Sequence, residues 1–180
     1  APDRVFLEVT RECNLTCSHC FNSSGKALPR ELSHSQIVSI IDDLALSGVQ
    51  EVRLTGGEPT MYHSLVELVS HITRLGLQAS IGTNAALINS RLGQALVGAG
   101  LRSAVISLDG LEDTHDRVRG QGSFRATMAG LEILRQNKVA VRVNSVVMKS
   151  TAQSVLALVD LLTSRDISVM LRRLIPSGRA

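Results

Sequence analysis

The stretch Glu51-Val52-Arg53-Leu54-Thr55-Gly56-Gly57-Glu58-Pro59 decides the fold, because a strand with two unlike faces runs directly into a glycine-rich loop. Polar and apolar residues alternate along its first five positions, which predicts a β-strand with one polar and one apolar face. A parallel strand covered by helices on both faces would be apolar throughout. The same polar positions recur in other segments, at Glu8 and Thr10, Ser107 and Asp109, and Arg142 and Asn144. The pattern therefore favours strands that surround a lumen filled with water or a ligand.

Strand-like and helix-like segments alternate along the whole chain, which argues for parallel βα units. Strands are predicted at residues 5–10, 51–55, 78–83, 103–108, 140–147 and 168–174. Five helices are predicted: one around residues 37–44 after a capping box at Ser33 and Gln36, and others near residues 64–75, 90–98, 123–136 and 155–162. An open doubly wound sheet and a barrel both have this order of elements. The polar strand faces favour an α/β fold of the second kind, a partial (β/α)6 TIM-type barrel that is open, parallel and surrounded by outer helices.

All three cysteines of the chain lie in one short loop after the first predicted strand, at Cys13, Cys17 and Cys20. Three cysteines cannot all pair within the chain, and nothing else suggests a secreted disulfide scaffold, so we expect reduced, intracellular thiols. Iron-sulfur clusters are usually held by four thiolates, and catalytic metal sites keep one position open. Three thiolates therefore predict a metal centre with a vacant position. A closed zinc site with His19 as the fourth ligand is the alternative.

The other unusual motifs also follow predicted strands, and the loops after parallel strands gather on the face where barrel active sites lie. They are the loop from Gly56 to Pro59, the strand end at Thr83 and Asn84, the sequence Ser107-Leu108-Asp109-Gly110, and the pair Arg142 and Asn144. Each has an ordinary alternative explanation, because such loops also form plain turns and such strand residues also form internal ion pairs. We expect them to form one site with the cysteines.

The C-x3-C-x2-C spacing, together with the Gly-Gly-Glu-Pro loop, resembles the radical S-adenosylmethionine (radical SAM) superfamily. The tract after Ser107-Leu108-Asp109-Gly110, with His115-Asp116, Arg119-Gly120 and Ser123-Phe124, resembles its SPASM or twitch-type subgroup, which matures peptides and builds cofactors. The resemblance implies a 4Fe-4S cluster on Cys13, Cys17 and Cys20, with S-adenosylmethionine on the open iron. It also implies reduced flavodoxin or ferredoxin as the electron donor, and a deoxyadenosyl radical that abstracts hydrogen from a peptide or small-molecule cofactor precursor.

The resemblance also implies roles for individual residues. The loop backbone and Glu58 receive the amino group of the cofactor, and His19 packs near the adenine as a flat ring. The cofactor-binding residues implied are His19, Gly56, Gly57, Glu58, Pro59, Thr83, Asn84, Ser107, Asp109, Arg142, Asn144 and Ile175. Ala85 departs from the family pattern, which usually has glycine after the asparagine. Substrate contacts are expected from Glu8, Arg53, Arg119 and Arg172, and no catalytic side chain is assigned beyond the ligands of the cluster and the cofactor.

Composition limits the other functions open to the chain. Its 180 residues, 44% hydrophobic and 19% charged, predict a globular chain of about one domain. The net charge is +3, but the arginines are scattered and only four residues are aromatic, which disfavours a nucleic-acid partner. No apolar run approaches the roughly 18 residues that span a bilayer, and no signal-peptide core is present. We therefore expect a cytoplasmic protein with no membrane partner.

The position of the cysteines also bears on the domain organisation. No cysteine follows Cys20, so the auxiliary clusters of the resembled subgroup cannot be held within these residues. Residues 1–180 are therefore expected to be a core domain that is cut before the sixth helix and a C-terminal auxiliary domain. Two other functions remain open. One is a molybdenum-cofactor-type nucleotide cyclase, whose phosphates would suit Arg53, Arg142, Arg172 and Arg173. The other is a non-enzymatic iron-sulfur or zinc-binding module.

Overall fold

A computed structural model describes residues 2–180, and its centre is one open sheet of six parallel strands in the order β1-β2-β3-β4-β5-β6. The strands are β1 Arg4–Thr10, β2 Glu51–Gly56, β3 Gln78–Thr83, β4 Ser103–Ser107, β5 Ala140–Val147 and β6 Ser168–Arg173. Each predicted strand is present, with bounds that differ by no more than one residue from the prediction. Helices lie outside the sheet, so the predicted open partial (β/α)6 barrel is confirmed.

The helices on the outside are α1 His34–Leu46, α2 Leu65–Arg74, α3 Ser90–Gly98, α4 Glu112–Arg119, α5 Ser123–Gln136 and α6 Ala152–Thr163, and a 3-10 turn spans Pro59–Met61. The capping box at Ser33 is formed, since its hydroxyl accepts from the Gln36 N–H and the Gln36 side chain accepts from the Ser33 N–H. None of the helices among residues 2–180 is both long and apolar enough to cross a membrane.

The prediction of five helices was wrong, because α4 is a sixth helix between β4 and α5. Its sequence is almost entirely polar and lacks the apolar spacing that identifies a buried helix face. Tertiary contacts stabilise it instead: Asp116 accepts hydrogen bonds from the backbone N–H groups of Gly122 and Phe124 at 2.7 and 2.8 Å. These bonds cap the first turn of α5 and tie the two helices together.

The strands have two unlike faces, as the alternation predicts. The outward side chains form the apolar core under the helices, and Val52, Leu54, Ile81, Ile106 and Val143 are each completely buried there. The inward faces carry most of the polar side chains of the strands, together with a few apolar ones such as Phe6, Val105 and Met170. At the amino ends of the strands, Arg53 donates to Ser80 Oγ at 3.0 Å and to Glu51 Oε1 at 2.9 Å. This buried network fills the lumen near the amino ends of β2 and β3, and the loops that carry the sequence motifs lie at the opposite, carboxyl ends of the strands.

Candidate active site

A cavity of about 540 Å³ opens at the carboxyl ends of the strands, and the three cysteines lie on its wall. Cys17 is buried, and Cys13 and Cys20 are half-buried. Burial raises the pKa of both the Cys13 and the Cys17 thiols. Binding of iron would therefore release protons from these groups, because metals bind the thiolate form.

Backbone hydrogen bonds hold the cysteine loop at its start. The N–H of Cys13 donates to the Gly25 carbonyl at 2.9 Å, and the Gly25 N–H donates to the Arg11 carbonyl at 3.1 Å. The Glu31 carboxylate accepts from the Arg11 N–H at 2.7 Å and from the Thr10 hydroxyl at 2.9 Å. The end of β1 and the return of the loop are thereby fixed to each other.

The glycines of the loop after β2 allow close contact with the backbone of the cysteine loop. The Gly57 N–H donates to the Thr10 carbonyl at 2.7 Å, and the Glu58 N–H donates to the Glu12 carbonyl at 2.8 Å. A Cβ atom at Gly56 or Gly57 would lie 2.2 Å from the Thr10 or Glu12 carbonyl oxygen, a separation that no side chain tolerates. Gly56 also has φ +145°, which favours glycine. The space that the missing side chains leave is thus filled by the backbone of the cysteine loop.

Glu58 lines the cavity, yet its carboxylate is engaged by protein groups. Only 1% of the residue is exposed. Its Oε1 accepts from the Thr83 hydroxyl at 2.6 Å and from the N–H and hydroxyl of Thr60 at 3.1 and 2.7 Å, and its Oε2 accepts from the Asn84 N–H at 2.7 Å. Burial raises the pKa of Glu58, and these four donors oppose the rise. The carboxylate therefore holds the loops after β2 and β3 together.

The strand end at β3 is joined directly to the cysteine loop. The Asn84 side chain donates to Asn14 Oδ1 at 2.8 Å, and the Asn84 carbonyl accepts from the Thr127 hydroxyl of α5 at 2.8 Å. Ala85 has φ +60°, in the left-handed region where glycine is favoured. This strained backbone explains why the resembled family usually has glycine at this position.

Asp109, which we expected to bind the cofactor, is completely buried and is not among the residues that line the cavity. Its Oδ2 contacts His19 Nε2 at 2.9 Å and Arg119 Nε at 2.7 Å, and its Oδ1 accepts from the Val146 N–H at 2.7 Å. Burial raises the pKa of Asp109, but the Arg119 and His19 side chains outweigh this and hold it well below its usual range. Asp109 is an ionised anchor for two cavity residues.

His115 lies behind this anchor. Its ring is completely buried and Nδ1 accepts from the Asp109 N–H at 3.1 Å. Burial, assisted by the nearby Arg119 charge, lowers the pKa of His115 to about 4. The imidazole is therefore neutral at physiological pH, and it supports the loop that carries Asp109.

The structure brings most of the predicted site residues to one cavity. Four of them do not line it: Asp109, described above, and three more. Arg142 shares the inward face of β5 with Asn144 but is exposed near the amino end, Pro59 is buried in the 3-10 turn, and Ile175 is 58% exposed. The predicted residues that line the cavity are Glu8, Cys13, Cys17, His19, Cys20, Arg53, Gly56, Gly57, Glu58, Thr83, Asn84, Ser107, Arg119, Asn144 and Arg172.

Arg179 is a cavity residue that the sequence reasoning missed. The Arg179 guanidinium donates to the Cys17 carbonyl at 2.9 Å and to the Ser24 carbonyl at 2.8 Å. The backbone N–H of Arg179 donates to the Cys20 carbonyl at 2.9 Å. Gly178 precedes it with φ +66°, and a Cβ there would lie 2.4 Å from the Cys20 carbonyl oxygen. The Gly-Arg pair after the sixth strand was the available signal. Phe6 and Phe21 also line the cavity and are more than half exposed.

The zinc alternative is not supported by the position of His19. Its Nε2 pairs with Asp109, which fixes the ring on the wall of the cavity. Within residues 2–180, no three His, Cys, Asp or Glu side chains converge closely enough to hold a single metal ion. A cluster of iron and sulfide is larger than one ion and accepts thiolates that stand further apart.

Comparisons with known proteins show the family of the chain. The sequence profile of the radical SAM superfamily matches residues 7–162. The Fe-coproporphyrin III synthase of Methanosarcina barkeri is 34% identical over 178 residues, which are 97% of this chain and 45% of that protein. The mycofactocin maturase MftC of Mycobacterium ulcerans is 38% identical over 183 residues, 99% of this chain and 49% of that protein.

The fold agrees with solved structures as well. SuiB of Streptococcus suis bound to S-adenosylmethionine superposes with a TM-score of 0.84 at 22% identity, over 97% of this chain and 41% of that chain. The present chain thus spans about half the length of the curated relatives it matches. Since the family profile covers most of the sequence and includes the cysteine loop, the chain belongs to the radical SAM superfamily.

Proposed function

We propose that this chain is the core domain of a radical SAM enzyme that acts on a peptide or a cofactor precursor. A single observation carries the proposal: the only three thiols of the chain open into one cavity, beside a glycine loop that fits against their backbone. Cys13, Cys17 and Cys20 would hold a 4Fe-4S cluster with one iron free. When bound, the cluster and S-adenosylmethionine supply a deoxyadenosyl radical that abstracts hydrogen.

The donor set fits such a cluster. Three free thiols stand in a loop whose ends are tied down by backbone hydrogen bonds, so the thiolates need not be ordered by the cluster alone. Sulfur ligands select iron-sulfur clusters among the common metal centres.

The chain's own residues would bind and orient S-adenosylmethionine. Because Glu58 is already occupied by four donors, we expect carbonyl groups of the Gly56–Glu58 backbone to accept the ammonium group. Asn144 supports a second contact, since its Oδ1 is buried on the cavity wall with no hydrogen-bond partner. A buried acceptor without a donor is costly, and a hydroxyl or ammonium group of the cofactor would satisfy it.

The remaining wall would receive the substrate. Phe6 and Phe21 are exposed aromatic residues on the cavity, and Arg172 is an exposed arginine on the same cavity. Relatives include an Fe-coproporphyrin III synthase, an AdoMet-dependent heme synthase and the maturation protein of a sporulation killing factor, so the substrate classes that we favour are a peptide and a tetrapyrrole-like cofactor precursor. A reduced flavodoxin or ferredoxin would provide the electron.

Two of the arginines that suggested a nucleotide cyclase are not placed to bind phosphates. Arg53, one of the arginines expected to suit phosphates, is already bonded to Glu51 and Ser80. Arg142 lies outside the cavity, so neither arginine is arranged as a phosphate clamp.

Anaerobic reconstitution with iron and sulfide tests the proposal. We expect about four irons and four sulfides per chain, loss of the cluster in each single Cys→Ala variant, and 5′-deoxyadenosine formed from S-adenosylmethionine with dithionite. Ser18→Ala is the matched control, because Ser18 lies in the same loop with an exposed side chain. A cluster retained in two of the three cysteine variants, or zinc in place of iron in the purified chain, would overturn the assignment.

A further inference from the structure

The guanidinium of Arg119 reaches from the end of α4 to the sulfur of one particular cysteine. Its Nη1 lies 3.8 Å from Cys17 Sγ in a hydrogen-bonding direction, while its Nε donates to Asp109 Oδ2 at 2.7 Å. The Arg119 side chain is 9% exposed and that of Asp109 is completely buried. We expected Arg119 to bind substrate, but the geometry directs it to a cluster ligand.

Several contacts fix Arg119 in this position. Asp109 is itself held by His19 and by the Val146 N–H, so the carboxylate that orients the guanidinium cannot rotate freely. The Ser18 N–H donates to the Val118 carbonyl at 2.9 Å, which ties the cysteine loop to the last turn of α4. A guanidinium keeps its proton throughout the pH range in which proteins fold. Arg119 is therefore a permanent cation at Cys17.

The other two cysteines have different surroundings. Cys20 Sγ accepts from the Ser24 N–H at 3.4 Å, and a backbone N–H of Leu15 lies at Cys13. Both donors are neutral, whereas the donor at Cys17 carries a full positive charge. Hydrogen bonds to charged groups are stronger than neutral ones.

We propose that Arg119 is a positioning residue for the cluster, which donates a charged hydrogen bond to the Cys17 thiolate and thereby raises the reduction potential of the cluster. This inference rests on the proposed function, since it requires a cluster at Cys17. Reduction adds one electron from an external one-electron donor, and no bond forms or breaks. The reduced cluster carries one more negative charge, so a cation at a ligand sulfur stabilises it more than the oxidised form. Asp109 serves this role indirectly by orienting Arg119.

Redox titration of the reconstituted protein, followed by electron paramagnetic resonance without S-adenosylmethionine, tests the proposal. We expect the midpoint potential of Arg119→Gln to shift to a more negative value than that of the wild-type protein, at equal iron and sulfide content. Arg119→Lys, which keeps the charge without the planar fork, should shift it less. Arg117→Gln is the matched control, because Arg117 lies on the same helix with an exposed side chain and does not line the cavity, and the midpoint potential of that variant should stay that of the wild type.

A second measurement needs no substitution. Pulsed electron paramagnetic resonance on the wild-type chain labelled with ¹⁵N-arginine should detect coupling between the reduced cluster and a guanidinium nitrogen, and the absence of that coupling would overturn the proposal even if Arg119→Gln fails to fold. An unchanged potential in an Arg119→Gln protein with a full cluster would also overturn it. A wild-type chain that holds no 4Fe-4S cluster would instead overturn the proposed function, and the role of Arg119 with it.

Discussion

Replacement of Glu58 by glutamine distinguishes a carboxylate that holds two loops together from one that binds the cofactor. Glutamine has nearly the same shape, but one of its two terminal atoms is a donor instead of an acceptor. Glu58 accepts at both oxygens: three hydrogen bonds at Oε1 and one at Oε2, the last from the Asn84 N–H. If the amide oxygen keeps the three bonds, its NH2 group must face the Asn84 N–H, and two donors oppose each other in a buried place.

The expected cost follows from these contacts. An unsatisfied buried N–H costs about 1 to 3 kcal/mol. Each of the three retained bonds also weakens by about 1 kcal/mol, because its acceptor is no longer charged. Glutamine also removes the cost of burying a charged carboxylate, which offsets part of this loss by a few kcal/mol. The same cost is the reason that burial raises the pKa of Glu58. We therefore expect Glu58→Gln to lower the free energy of unfolding by about 2 kcal/mol.

Urea unfolding of the wild-type and Glu58→Gln chains, with fluorescence of a bound dye or circular dichroism as the signal, measures this difference. Glu8→Gln is the control, because Glu8 lies on the same cavity and accepts one hydrogen bond, from Asn22 Nδ2 at 2.6 Å in an exposed place. That variant should change the free energy of unfolding by less than about 0.5 kcal/mol. Calorimetric titration of the cluster-loaded variants with S-adenosylmethionine completes the test. Unchanged stability together with weaker cofactor binding would show that the carboxylate binds the ammonium group and that our reasoning is wrong.

Three further outcomes are expected. Gly57→Ala should prevent cluster assembly, since the new Cβ would lie 2.2 Å from the Glu12 carbonyl oxygen. Gly25→Ala is the control, because a Cβ at Gly25 meets open space, and this variant should bind the normal amount of iron. Equal iron content in both variants would contradict the prediction. Burial lowers the pKa of His115 to about 4 in the folded chain, so the unfolded chain binds a proton more readily than the folded one. The free energy of unfolding therefore falls as the pH drops from about 6.5 towards 4, by roughly 2 kcal/mol at pH 5. His115→Asn, which keeps an acceptor but does not titrate, should flatten that part of the pH profile in urea unfolding, and an identical slope would refute the assignment. Arg142→Ala should leave the calorimetric affinity for S-adenosylmethionine unchanged, because Arg142 does not line the cavity, and a loss of more than tenfold would show that it reaches the cofactor.

The faces of the strands could be predicted from the sequence because they depend on local geometry alone. Successive side chains of a strand point to opposite sides, so one polar residue fixes the phase of its neighbours. Ser107 and Asn144 accordingly line the cavity, while Val143 is completely buried under the helices. The same argument places Arg142 on the inward face.

The depth of a residue along the lumen could not be predicted in this way. Arg53 and Arg142 have the correct phase, but they lie nearer the amino ends of their strands than Ser107 and Asn144. Whether an inward arginine meets a ligand or a carboxylate depends on the register of neighbouring strands. Arg53 finds Glu51 and Ser80 because β2 pairs with β3 so that Arg53 lies opposite Ser80. Nothing in the alternation of a single strand specifies that pairing.

The structure brings most of the motif residues to one cavity, but the contacts that each side chain makes depend on its burial. Glu58 and Asp109 belong to the two motifs that identify the site, yet each is enclosed and engages backbone and side-chain donors of the protein. A buried carboxylate must be satisfied by neighbours, and only the folded chain shows how many donors surround it. The helix α4 was missed for a related reason, since Asp116 and His115 stabilise it through polar contacts that leave no apolar period.

Within the same sequence motifs, some groups hold the loops together and other groups are left to contact ligands. The carboxylates of Glu31, Glu58 and Asp109 hold the loops, through bonds to Arg11, Asn84 and Arg119 among others. In the proposed site, contact with ligands would then fall to the thiolates, to backbone carbonyls and to the Asn144 Oδ1, which has no hydrogen-bond partner in the structure. Of the three carboxylates, only Asp109 is bonded to a side-chain cation, the Arg119 guanidinium, and Glu58 accepts from neutral donors. In the proposed function, a wall whose loops are tied together in this way would keep the cofactor in one orientation while the radical reacts.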